Sequence, residues 1–132
     1  MSEEARNRKS AKVVDPATAP RGALRRDRGY SVELVNPGIG ATQIDLHVNV
    51  LTRGGAEGPS HLHRTSENVY YVLEGKVRVR IDGVDHELTA GMAGFVPPGV
   101  PHSVTNIGDQ DAKIVEIYSP PDAGYEVVED EG

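Results

Sequence analysis

The clearest pattern in the chain is the alternation from Thr42 to Leu51. Ile44, Leu46, Val48 and Val50 fall on one face of an extended segment, and Gln43, Asp45, His47 and Asn49 on the other. A period of two marks a strand with unlike faces. Ser31–Val35 reads as an earlier strand, stopped by Asn36-Pro37-Gly38. Asn68–Glu74 is rich in β-branched and aromatic residues, and Gly75 turns it into Lys76–Ile81, where Val77, Val79 and Ile81 alternate with Arg78 and Arg80. Asp82-Gly83 has the residue types that a two-residue hairpin requires, so Val84–Leu88 returns beside that strand. Ala93–Val96, Ser103–Thr105, Lys113–Tyr118 and Tyr125–Val128 complete the series. No stretch has helical spacing. Many short strands with closely spaced turns predict an all-β sandwich or barrel.

The pattern fails over residues 1–28. Pro16, Pro20 and Gly22 interrupt it, and eight bases stand against four acids, a surplus of four that leaves the rest of the chain at −10 of a net −6. This segment is expected to be a flexible basic arm, with the barrel over residues 29–128 and an acidic tail at 129–132. The acidic body disfavours nucleic acid as a partner. No apolar run approaches the roughly 20 residues of a membrane span, and no secretory signal is visible. With no cysteine, the chain has neither disulfides nor thiolate ligands, which suits a reducing cytoplasm.

The candidate chemistry lies in histidines. His61 and His63, two residues apart after Gly54-Gly55, point to the same side of a strand. His102 follows the stiff corner Val96-Pro97-Pro98-Gly99-Val100-Pro101. Proline fixes φ and glycine allows the bend, so His102 is delivered with little freedom. If the sheet curls, three imidazoles converge into a site for one divalent transition metal: iron, manganese, nickel or zinc.

These segments resemble the two signature motifs of the cupin superfamily, G-x5-H-x-H-x3-4-E-x6-G and G-x5-P-x-G-x2-H-x3-N. Residues 91–106 match the second at every fixed position, and Gly75 and Gly91 are separated by fifteen residues. The resemblance covers roughly Val32 to Tyr118. It implies a single-domain jelly-roll β-barrel, a metal held by His61, His63 and His102, a small-molecule substrate or ligand, and a homodimer.

The first motif departs at its glutamate. Counting six residues back from Gly75 puts Asn68 in that slot, while Glu67 is one residue early. A one-residue step in a strand reverses the side chain, so Asn68, Tyr70 and Val72 should look inward together. Two ligand sets stay open: three histidines with Asn68 nearby, which the spacing favours, or three histidines with Glu67 brought in by a bulge. A neutral amide leaves the metal its full charge and makes it a stronger electrophile for an anionic bidentate substrate. Tyr70 and His47 are the candidate acid/base groups, although Tyr70 equally suits core filling and the polar face of Gln43, Asp45, His47 and Asn49 is expected to meet water. The function expected is a metal-dependent enzyme acting on a small oxygen-rich molecule, by dioxygenation, isomerisation or lyase chemistry. The alternative is a non-catalytic cupin that binds or senses a small ligand.

Overall fold

The computed structural model describes residues 11–121 and 124–128. Among the described residues, eleven strands form two antiparallel sheets. The first sheet runs β1 (Arg21–Ala23), β2 (Gly29–Val35), β3 (Asp45–Leu51), β10 (Ala112–Ser119), β5 (Glu67–Glu74) and β8 (Ala93–Val96). The second runs β11 (Tyr125–Val127), β4 (His61–His63), β9 (His102–Asn106), β6 (Lys76–Ile81) and β7 (Val84–Thr89). This is a jelly roll, the fold that the cupin resemblance implies and one form of the sandwich or barrel that the spacing of strands and turns predicts.

Local chemistry explains the connections. The β6–β7 hairpin turns on Asp82 and Gly83, both left-handed at φ 50° and 81°, the pair that matches the strands' own twist. At Gly75, φ is 90° and an added Cβ would lie 2.9 Å from Ala112 Cα, so the β5–β6 turn also serves a close approach to β10. The Asn106 amide ties β9 to Leu51 O and Gln110 O, a fastening role rather than a chemical one.

The inward-facing columns change character along their length. On β10, Ala112 and Ile114 are buried in the apolar core, whereas Glu116 and Tyr118 line a cavity. On β5, Val72 belongs to the core and Asn68 is a fully buried amide. On β3, Leu51 is core and the buried Asn49 and His47 line the cavity. One end of the barrel is therefore closed by packed side chains, and the other is polar and built for a site.

Two expectations change. The barrel does not begin at residue 29: Arg21–Ala23 pairs with Tyr30–Val32 as an edge strand, and Arg28 is buried. Backbone pairing recruits this segment despite its lack of apolar periodicity. Residues 1–10 and 129–132 lie outside the described residues. The polar set on and before β3 meets water only at its start: Gln43 is exposed and Asp45 half-buried. His47 and Asn49 are 8% and 5% exposed, because the barrel interior here is a polar cavity and the apolar side of β3 faces outward.

Candidate metal centre

The strand β4 contains little beyond the two histidines that begin and end it. His61 lies directly opposite His102 in the β4–β9 pairing, and His63 shares its face two residues on. The three rings gather at centroid separations of 4.4 Å (His61–His102), 5.1 Å (His61–His63) and 5.2 Å (His63–His102). One ligating nitrogen from each lies within 4.8 Å of the others.

The proline-glycine corner does what its stiffness predicts. Gly99, at φ 79°, donates its backbone N–H to His63 O at 2.7 Å, fastening the corner to the strand that carries the other two imidazoles.

Hydrogen bonds orient the rings. His61 Nδ1 lies 2.9 Å from Pro59 O and His102 Nδ1 2.8 Å from Val100 O. A carbonyl accepts only, so each Nδ1 carries the proton and each Nε2 keeps its lone pair. His102 Nε2 is buried without a hydrogen-bond partner. Burial lowers the His61 pKa, and burial with the neighbouring His61 lowers that of His102 to about 4. Three buried imidazoles gathered at one point, with the Nε2 atoms of His61 and His102 left free to donate, are the donor set of a divalent transition metal, so the residues fit such an ion.

Asn68 and Glu67 separate as the one-residue step requires. Asn68 is fully buried, donates Nδ2 to Ile117 O at 3.1 Å, and leaves Oδ1 without a partner. Glu67 is exposed on the opposite face. β5 pairs continuously with β10 from Ser119↔Glu67 to Ile114↔Val72, and the register shift falls at Lys113/Ile114 instead. With no bulge at residues 66–68, Glu67 does not turn toward the histidines, and the ligand set that includes it is withdrawn.

Beside the histidines opens a cavity of about 270 Å3, whose lining includes His61, Arg28, His47, Glu116, Tyr118 and Tyr125. Glu116 is 4% exposed. Its carboxylate accepts from His47 Nε2 at 2.9 Å and Asn49 Nδ2 at 2.5 Å, with Tyr118 OH at 3.3 Å. Burial alone would raise its pKa, but the hydrogen bond and charge of His47, helped by His61 and His102, hold it at about 2. His47 shows the reverse balance. Burial would lower its pKa, yet bonds to Asp45 and Glu116 raise it to about 10. At neutral pH this is an imidazolium between two carboxylates, with both ring nitrogens occupied. Tyr70 is fully buried among core residues, and its hydroxyl lies near the Glu116 carboxylate. Burial and the nearby Glu116 charge push its pKa well above 10, so it stays a donor.

Sequence reasoning passed over Glu116 and Arg28. Glu116 had a signal: it shares a face with Ile114 and Tyr118, and a carboxylate in an inward column is uncommon without a task. Arg28 had none, because it closes a basic segment that lacks a periodic pattern.

The cupin domain family matches residues 48–118. The chain belongs to the cupin family. This cupin is 31% identical over 98 residues to the uncharacterized protein MJ1618 of Methanocaldococcus jannaschii, covering 74% of this chain and 78% of that protein. It is 31% identical over 113 residues to the tetracenomycin polyketide synthase protein TcmJ of Streptomyces glaucescens, covering 84% of this chain and 72% of TcmJ. Among solved structures, the polyketide cyclase RemF from Streptomyces resistomycificus superposes with a TM-score of 0.76 at 23% identity, covering 89% of this chain and 85% of RemF. That likeness shows the fold.

Proposed function

We propose that this cupin is a mononuclear metal enzyme that acts on a small, oxygen-rich, enolisable molecule by proton-transfer chemistry of the cyclase, dehydratase or isomerase kind. The observation that carries the reading is the placement of Glu116. Its ionised carboxylate lines the same cavity as His61. His61, His63 and His102 would hold the metal. A divalent ion held there would supply Lewis acidity toward a substrate oxygen.

The chain's own residues supply the rest. Through Oε1, the oxygen not bonded to His47 and Asn49, Glu116 takes up the proton released as the substrate enolises and returns it to the product. His47 keeps that carboxylate ionised and oriented, with Asp45 fixing His47 from its other side. Tyr70, held protonated, lies behind Glu116 as a hydrogen-bond donor rather than a base. Asn68 leaves the metal its full positive charge, which suits an anionic oxygen ligand. Likeness to TcmJ supports a polyketide-like substrate, rich in carbonyl and phenolic oxygens.

The test is metal analysis of the purified protein, followed by assay with β-polyketone substrates under air and under nitrogen. One equivalent of metal, with turnover in both atmospheres that Glu116→Gln removes, is expected. Turnover that needs oxygen would replace this reading with dioxygenation. Metal and ligand binding without turnover would make the protein a binding or sensing cupin.

We further propose that a second copy covers the outer face of the six-stranded sheet. Val48, Val69, Val115, Ile117 and Phe95 share that face through the pairings Val48↔Val115, Ile117↔Val69 and Val69↔Phe95, and Tyr71 joins it opposite Val115. Phe95 is 54% and Tyr71 42% exposed. A sheet that is apolar on its outside as well as toward its core calls for a cover.

A further inference from the structure

Arg28 is the anomaly of the cavity. It is 92% buried, judged from its 8% exposure, yet among the described residues no carboxylate lies within ion-pair distance of it. Its one hydrogen bond runs from Nη2 to Val104 O at 2.6 Å. A buried guanidinium normally meets a carboxylate, because an unpaired charge away from water is costly. The carboxylates that line the cavity are already engaged: Glu116 by His47 and Asn49, and Glu33 by Ser31.

The surrounding chain is shaped to hold this side chain. Arg26 and Asp27 take left-handed backbone at φ 62° and 56°, and Gly29 follows at φ 134°. A Cβ on Gly29 would lie 1.9 Å from Val50 O. Thr52 clamps the Arg28 carbonyl with its backbone N–H at 2.9 Å and its hydroxyl at 3.1 Å. Gly58 leaves room for the guanidinium, since a Cβ there would lie 2.7 Å from Arg28 Nη2 and 2.3 Å from Val104 O. Strained backbone, two close approaches and a double clamp converge on one residue, which is the pattern of a site rather than of a tail.

We propose that Arg28 is the anion receptor of the cavity, and that the ligand taken there carries a carboxylate or an equivalent planar oxyanion. The proposal rests on reading this cavity as the substrate site. The guanidinium presents a planar fork that matches such an oxyanion with paired N–H donors. Tyr118, Tyr125 and His61 offer ring surface to the remainder of the ligand, so an aromatic or enolic acid fits better than a simple aliphatic one.

The test uses salicylate and its uncharged counterpart salicylamide, titrated by NMR into the full chain before and after chelation of metal. Wild type is expected to bind salicylate at least tenfold more tightly than salicylamide in both states. Arg28→Met should erase that preference, and Arg28→Lys should retain part of it. If Arg28→Met does not fold, wild type and Arg28→Lys still decide. Equal affinities in metal-free wild type, or no binding of either probe, would overturn the proposal. So would a preference that survives in Arg28→Met. A preference confined to the metal-loaded protein would assign the anion to the metal and also overturn it. Zinc titration of the same samples reports the histidine site separately, so loss of one reading is distinguishable from loss of the other.

Discussion

His47 Nε2 lies 2.9 Å from Glu116 Oε2, across the β3–β10 pairing that sets the two residues opposite each other. Both side chains face into the barrel and both are nearly out of water. The pair converts an awkward burial of two charges into a fixed, ionised carboxylate at the edge of the candidate metal centre. It also makes the protein's stability depend on pH in a calculable direction.

Glu116 is held at about 2 against an ordinary 4.5, so its contribution is present above pH 4.5 and is lost as pH falls through 2. His47 is raised to about 10 from 6.5. Its contribution is full below pH 6.5 and is lost as pH rises through 10. Thermal melts should therefore show a flank of falling stability between pH 6.5 and 10. Glu116→Gln should flatten that flank and cost roughly 3 kcal/mol at pH 6, because it breaks a buried pair. An alkaline flank unchanged in Glu116→Gln would disprove the coupling.

Metal content should follow the histidines. His61→Ala and His102→Ala should each lose stoichiometric metal in elemental analysis, and chelation should lower the melting temperature of wild type alone. Asn68→Ala, which removes the buried inward-facing amide of β5, should weaken metal affinity about tenfold if that amide supports the site. Glu67→Gln should leave it unchanged, because that side chain points out of the barrel.

The outer sheet face predicts an assembly. Tyr71→Asp with Phe95→Asp should shift the protein from dimer to monomer in light scattering while leaving metal content intact. A monomeric wild type at micromolar concentration would exclude this interface.

Two glycines should respond differently to alanine. Gly29→Ala meets Val50 O at 1.9 Å in addition to a φ of 134°, and should cost about 3 kcal/mol or more in denaturant unfolding. Gly40→Ala has a φ of 103° but nothing within 4 Å, and should cost only about 1 kcal/mol, the backbone penalty alone.

Much of this was legible in the chain itself. Alternation, turn residues and the proline-glycine corner specified most strands, and the one-residue step from Glu67 to Asn68 correctly sorted the two side chains, because strand periodicity is a local property. The trio His61, His63 and His102 was legible for the same reason: each lies at a fixed offset from its own turn. Which face of β3 looks inward was not. Alternation names two faces without saying which meets water, and only the closing of two sheets around a polar cavity turned His47 and Asn49 inside. Glu116 acquires its charge state from His47, 69 positions earlier, and Arg28 its burial from Val104, 76 positions later. Those relationships exist only once strands distant in sequence are paired, since electrostatics and burial depend on neighbours in space.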